Sequence, residues 1–190
     1  LSVLSEYEII VGYSDYEGLL YHAVGSYATA CGWHNNLKLY SQNRFLRSKG
    51  GRRGNPRYSS SPLLTHLIYP QHLDAFDEIG MKNDILSQTN YDSEFVDSSV
   101  PDETVRCLAH WQALGCEIDR IECIKSTNDR LDYVLSKIQK AKSIVKSFCK
   151  KRRVKVEELS STLQMNFSYL HQWEESIGKL NDLLSKRGQI

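Results

Sequence analysis

The apolar residues near the C-terminus recur at alternating spacings of three and four, which places them on one stripe of a helix. This C-terminal seam consists of Val156, Leu159, Leu163, Asn166, Leu170, Trp173, Ile177, Leu180 and Leu184. Asn166 is its single polar member. Because the phase is unbroken from residue 156 to residue 184, we expect one continuous helix. Such a helix buries its stripe against another helix, so the seam indicates packing or partner binding rather than chemistry.

A second seam precedes it, between residues 117 and 149. Its residues repeat every seven positions in two sets: Ile124, Leu131, Ile138 and Val145, then Thr127, Val134, Ala141 and Phe148. The basic run 150–153 separates the two seams. This run is either a turn, which makes an antiparallel helical hairpin, or part of one helix that continues through both seams with a phase change. Helices of globular proteins are usually much shorter than that, so we favour the hairpin.

The N-terminal half carries signals for several shorter helices. Residues 14–17 fit a capping box, and the helical spacing behind them predicts a helix over 14–31 that ends before Gly32. A similar spacing predicts a second helix over 35–47. Apolar and polar residues alternate as in a strand only at 7–11.

Two further helices should start at prolines. Pro62 follows a serine that could act as N-cap, and it suits the first turn of a short helix. Pro70 starts another helix, which Gly80 should end in a left-handed conformation.

Polar segments separate these helices. Residues 48–61 are rich in Gly, Ser and Arg and predict a mobile basic loop, and the acidic residues 87–100 predict a linker. A further helix should start near Pro101. We therefore predict an all-α fold, in which an N-terminal bundle of short helices (1–98) packs on a C-terminal pair of long amphipathic helices (99–190). One compact helical domain is the alternative.

Composition and charge favour an intracellular protein without a membrane span. The 190 residues carry a formal net charge of +1, and no apolar run is long enough to cross a bilayer. The chain opens without a basic and then apolar leader, and its five cysteines are an odd number, which favours reduced thiols. We therefore expect a nuclear or cytoplasmic location.

Two Cys-x-x-His pairs are the candidate metal ligands: Cys31 with His34, and Cys107 with His110. Residues three apart share one face of a helix, so each pair could offer two ligands to a Cys₂His₂ zinc site that joins the two halves. Further potential ligands are His66, His72, Cys116 and Cys123. The alternative is that the cysteines are buried thiols and the histidines lie on the surface. We expect no other cofactor.

Basic residues suggest an alternative function, the binding of nucleic acid. They are Arg44, Arg47, Arg52 and Arg53 in and beside the basic loop, and Lys150, Lys151, Arg152 and Arg153 between the seams. The C-terminal seam could then be a helix-turn-helix, with its turn at 164–166 and its recognition helix at 167–184. Three observations oppose this: the turn lacks Gly, Glu174 and Glu175 would repel DNA, and the apolar phase runs through the turn as one helix would make it and two would not.

Motifs of the common enzyme classes are missing from the sequence. There is no Gly-rich phosphate loop, no HExxH and no GxSxG, so we expect a non-enzymatic protein. Abundant Tyr and Trp favour an adaptor that binds helical peptide segments of partner proteins in grooves between helices. Such an adaptor would bridge a larger intracellular complex, for example in chromatin, and could form a homodimer. The expected partner-binding residues are Tyr16, Tyr27, Trp33, Tyr40, Asn166, Leu170 and Trp173.

Overall fold

The computed structural model describes residues 8–31, 54–95 and 99–186, except for the side chains of 184 and 185. This part of the chain is 61% helix and 9% strand, which confirms the predicted predominance of helix. The helices are α1 (Gly18–Ala23), α2 (Gln71–Asp77), α3 (Lys82–Ile85), α4 (Glu103–Glu122), α5 (Thr127–Arg152), α6 (Leu159–Leu163) and α7 (Ser168–Lys186). The strands are β1 (Ile10–Gly12), β2 (Ala28–Ala30), β3 (Arg57–Ser60) and β4 (Thr65–Ile68). The fold is therefore mostly α, with two small sheets.

A small parallel sheet occupies the N-terminal segment. β1, which overlaps the strand predicted at 7–11, pairs with β2, and α1 connects them. The prediction of one helix over 14–31 is therefore wrong. α1 stops at Ala23 because Gly25 adopts a left-handed conformation (φ 93°) that turns the chain into β2. The helix predicted over 35–47 lies outside the described residues.

β3 and β4 form an antiparallel hairpin, where the sequence predicts the end of the basic loop and then a helix from Pro62. Both predictions are wrong here, because residues 61–64 form the turn between the strands. The Ser60 hydroxyl accepts a hydrogen bond from the Leu63 amide and donates one to the Ile85 carbonyl. The first bond is local and the second is tertiary, and together they fix the turn.

Two helices start and end close to their predicted positions. α2 follows Pro70 and ends before Gly80, which is left-handed (φ 66°) as expected. α4 begins after Asp102, whose carboxylate accepts the Thr104 amide at 2.7 Å. It continues to Glu122.

Residues 87–95 of the acidic segment are tied to the core, although the sequence predicts a linker. Its 3₁₀ turn (Asp92–Phe95) places Phe95 in the interior at 2% exposure. The Phe95 ring packs edge-on against Tyr58 and Tyr69, with centroid distances of 4.8 and 5.4 Å.

Six of the eight residues of the second seam are confirmed on the buried face of α5: Leu131, Val134, Ile138, Ala141, Val145 and Phe148. Ile124 lies before the helix, and Thr127 is exposed. The predicted start of the seam at 117 is wrong, because α4 ends at Glu122 and Ser126 caps a new helix. α5 ends at Arg152, and Arg153 is left-handed (φ 57°). The basic run is thus a helix end and a turn, and the alternative of one uninterrupted helix is wrong.

The C-terminal seam is not one continuous helix, contrary to the prediction. A 3₁₀ turn (Val156–Glu158) leads into α6, Gln164 is left-handed (φ 57°), and α7 begins at Ser168. Asn166 explains the break, because its side-chain oxygen accepts the Ser168 amide at 2.9 Å and caps α7. Seam residues on both sides of the break are buried, among them Leu159, Leu170 and Ile177. α7 packs on α5, and the antiparallel hairpin of these helices stays a prediction.

Buried apolar residues from both halves of the chain form one cluster. α1 packs on α4 and α5, and β3 lies against α4. These contacts bring residues that are distant in sequence into one neighbourhood. Across the described ranges, we find no helix with the length and apolar character needed to cross a membrane.

Candidate functional site

Four side chains that can bind a metal or transfer a proton meet around α4. They are Asp15, Cys31, His66 and His110, and we call them the polar cluster. His66 Nε2 lies 2.6 Å from Asp15 Oδ2, and His110 Nε2 lies 3.6 Å from Asp15 Oδ1. Cys31 Sγ lies 3.1 Å from the same His110 nitrogen. The two imidazole rings are 4.8 Å apart between centroids.

Each member of the polar cluster comes from a different segment of the chain. Asp15 lies in the turn before α1, and Cys31 follows β2 directly. His66 is in β4, and His110 is on the buried face of α4 that packs against β3. The tertiary fold, and not any local motif, therefore assembles the cluster.

The polar cluster is largely shielded from solvent. The side chains of His110, His66 and Asp15 are 2%, 12% and 17% exposed. His110 Nδ1 lies 2.8 Å from the Ser59 hydroxyl, which lies 2.7 Å from the Tyr16 hydroxyl. Burial raises the pKa of Tyr16 well above its ordinary value, so the phenol stays protonated. These bonds fix the His110 ring and direct its Nε2 toward the rest of the cluster.

The arrangement can hold a metal ion. Asp15, His66 and His110 each offer one ligand atom, and these atoms lie within 4.8 Å of one another. Cys31 adds a thiol beside His110. Carboxylate, imidazole and thiolate are all ligands that zinc accepts.

The predicted zinc ligands are only partly brought together. Cys31 and His110, from different predicted pairs, meet in the polar cluster. Cys107 lies on α4 outside the cluster, and His34 lies outside the described residues. The sequence named His66 only as a substitute ligand and gave no signal for Asp15, because a single aspartate in a turn has no diagnostic spacing.

A second feature is an apolar groove of about 950 Å³ between α5, residues 156–167 and the start of α7, here called the α5–α7 groove. Its apolar lining consists of Val145, Val156, Met165, Phe167 and Leu170. Val156 is 46% exposed, and the others are buried. Polar and charged lining residues include Lys142, Lys146, Glu157, Asn166 and His171. Two predicted partner-binding residues, Asn166 and Leu170, thus line the groove.

The other predicted partner-binding residues lie elsewhere. Tyr16 is 1% exposed, so it is a core residue and not part of a surface. Trp173 is partly buried against the core, and Tyr27 is 60% exposed. Trp33 and Tyr40 lie outside the described residues.

The basic residues considered for nucleic acid have different surroundings. Lys151 donates to a carbonyl of the segment that follows α2 at 3.1 Å, and Arg152 contacts the Glu78 carboxylate at 2.6 Å. These bonds tie the end of α5 to α2. Lys150 and Arg153 are exposed. Arg44, Arg47, Arg52 and Arg53 lie outside the described residues.

The helix-turn-helix alternative matches the structure in one respect. α6 and α7 are separated at residues 164–167, where that alternative places its turn. However, Glu174 on α7 forms an ion pair with Lys142 on α5, so this part of α7 faces another helix. A recognition helix instead presents a free face to the DNA groove.

Comparisons of the chain with protein-family models, with curated proteins and with solved structures give no match. Within the described residues, the α5–α7 groove and the polar cluster are the two features from which we argue a function.

Proposed function

We propose that this chain is a non-enzymatic adaptor whose α5–α7 groove binds an amphipathic helical segment of a partner protein, within a larger intracellular assembly. The observation that carries the proposal is an apolar floor enclosed by helices and open to solvent at Val156, which is 46% exposed. An amphipathic helix presents a stripe of apolar side chains at i, i+3, i+4 and i+7, and a groove between helices is the usual receptor for it.

The groove is lined by two charged residues that form no ion pair with described residues, Lys146 and Glu157, and Lys146 favours an acidic residue on the bound helix. Lys146 is exposed on α5, and among the described residues it forms no ion pair. Lys142 is already paired with Glu174. Lys146 is thus available to a carboxylate that flanks the apolar stripe of the bound helix. Such a rim contact contributes more to the association rate and to orientation than to affinity.

A phage-displayed library of amphipathic helices, with varied apolar and charged positions, tests the proposal. We expect selection of peptides with an apolar stripe and acidic flanks, which bind the purified chain saturably. Val156→Asp should weaken binding at least about tenfold, or 1.4 kcal/mol, because it places a carboxylate in the apolar contact. Leu183→Asp is the matched control, because Leu183 is 56% exposed and does not line the groove.

Three results would contradict the proposal: no peptide that binds saturably, an equal loss of peptide affinity in both variants, or a loss of affinity in Leu183→Asp alone. A dimeric solution mass that Val156→Asp converts to a folded monomer would instead identify a second copy of the chain as the occupant. In that case the partner assignment is overturned.

Nucleic-acid binding is the second candidate, supported by the turn between α6 and α7. Titration with duplex DNA at two salt concentrations distinguishes it, because phosphate contacts weaken steeply with salt. The adaptor proposal predicts no saturable DNA binding at physiological salt. Saturable binding that Lys150→Ala weakens would favour the second candidate.

A further inference from the structure

We infer that the polar cluster is a structural zinc site, in which Asp15, Cys31, His66 and His110 supply the ligands. The inference is independent of the α5–α7 groove, because no member of the cluster lines it. Four protein ligands make a closed site of the structural type, without the open position that a catalytic zinc needs.

Three distances within the cluster are close to those between the ligands of a tetrahedral zinc. Zinc bonds of its usual lengths place neighbouring ligand atoms about 3.3–3.6 Å apart. The carboxylate oxygens lie 2.6 Å from His66 Nε2 and 3.6 Å from His110 Nε2, and the sulfur lies 3.1 Å from His110 Nε2. The ligand atoms of Asp15, His66 and His110 lie within 4.8 Å of one another, so modest movements would bring them around one ion. The Cys31 sulfur would have to move closer to the other ligands to complete the tetrahedron.

The surroundings of His110 match those of a metal ligand. A zinc-bound histidine commonly donates its second ring N–H to a neighbouring acceptor, which fixes the tautomer. His110 Nδ1 lies 2.8 Å from the Ser59 hydroxyl, and Ser59 is 4% exposed. With the proton on Nδ1, the Nε2 lone pair points at Asp15 and Cys31, as coordination requires.

Charge balance also favours a divalent ion. Two imidazole nitrogens face one carboxylate in a site where the side chains are 2–17% exposed. A zinc ion with one carboxylate, one thiolate and two neutral imidazoles has no net charge, so burial of the whole group is less costly than burial of separate charges.

The donor set selects zinc over other metals. Two histidines and a carboxylate alone would also suit Fe(II). The thiolate of Cys31 is a soft ligand that favours zinc in a tetrahedral site. The site would join the N-terminal segment, β4 and α4, which stabilises the packing of the two halves of the chain.

Metal analysis and cobalt substitution of the reduced, tag-free full chain test the inference. We expect about one equivalent of zinc after gel filtration. The cobalt form should show the intense visible bands of a tetrahedral site and a near-ultraviolet thiolate charge-transfer band. Less than about a tenth of an equivalent of zinc, or a cobalt spectrum without the thiolate band, would overturn the assignment. Iron bound in preference to zinc would overturn it as well.

Variants assign the ligands individually. Cys31→Ser should abolish the thiolate band, and the matched control Cys116→Ser, at an exposed cysteine on α4, should retain it. Ser59→Ala keeps all four ligands and should lower zinc affinity about 10–100-fold, as changes around metal ligands usually do. If Ser59→Ala and Cys31→Ser leave zinc affinity unchanged, the zinc is held elsewhere and the assignment is overturned. The spectrum of the unaltered protein decides the matter even if a variant fails to fold.

Discussion

Replacement of Glu117 by Gln should remove a buried electrostatic contact between α4 and α5. The Glu117 carboxylate is 2% exposed on α4. It accepts bonds from Lys137 Nζ at 2.8 Å, from the Tyr133 hydroxyl at 2.6 Å and from the Ser61 hydroxyl at 2.8 Å. It therefore connects α4 with α5 and with the turn of the β3–β4 hairpin.

The expected loss of stability arises because Lys137 is left largely buried without its ion-pair partner. Gln retains the shape of Glu117, but Ser61 and Tyr133 donate to different carboxylate oxygens, so the single amide oxygen can accept only one of these bonds. The Lys137 ammonium, only 16% exposed, loses its counter-charge. Removal of one partner of a buried ion pair costs about 3–5 kcal/mol. Because Lys137 keeps some contact with water, we expect a loss near the lower limit, about 3 kcal/mol.

The pH dependence gives a second check on the same contact. Burial by itself would raise the pKa of Glu117, but the bonds and charge of Lys137 and the two hydroxyls outweigh it and lower the pKa from its ordinary 4.5. A depressed folded-state pKa stabilises the protein above the unfolded-state value, and this stabilisation is lost as the pH falls through the folded-state pKa. The stability gap between wild type and Glu117→Gln should therefore be full above pH 4.5 and shrink below it.

Urea unfolding followed by circular dichroism, repeated over a pH series, measures both effects. Asp119→Asn is the matched control, because Asp119 is exposed on the same helix and its replacement should change stability by no more than about 0.5 kcal/mol. A stability difference between wild type and Glu117→Gln below about 1 kcal/mol at neutral pH would refute the cost assigned to the lost ion pair. A gap that stays constant well below pH 4.5 would refute the charge argument.

Three further predictions concern the helical half. Phe148→Ala should cost about 3–5 kcal/mol in urea unfolding, because the side chain is fully buried with its ring 4.2 Å from that of Phe76. Asn166→Ala should cost only about 1 kcal/mol as a lost helix cap, and a loss above about 3 kcal/mol would show that the residue packs in the core. Cys149 should react with iodoacetamide more slowly than exposed Cys116, because burial raises its thiol pKa, and equal rates by mass spectrometry would contradict this.

The long helices could be predicted because their signals are local and repeated. The buried face of α5 follows a heptad over several turns, so single exceptions do not hide it. Asp102 and Ser126 are residue types that commonly cap helices, and both do so here. The break before α7 also has a local signal, since Asn166 is a good helix cap, but the prediction used only the apolar phase and took Asn166 as a seam residue.

The short elements and the polar cluster depend on contacts that spacing does not encode. Helical spacing after residue 14 is genuine, but Gly25 and pairing with β1 convert its second half into a strand. Ser60 favours a turn only because the Ile85 carbonyl is nearby in the fold. Asp15 and His66 approach His110 for the same reason, so a sequence alone can name potential ligands but cannot group them.

Methyl nuclear magnetic resonance of the full chain with a selected helical peptide tests the adaptor proposal most directly. The account predicts that the largest shift changes fall on Val156, Met165 and Leu170 of the α5–α7 groove. The methyl signals of Ile121 and Leu131, which are buried elsewhere in the core, should move little. Saturable binding with the largest methyl shift changes outside the α5–α7 groove would contradict the adaptor proposal.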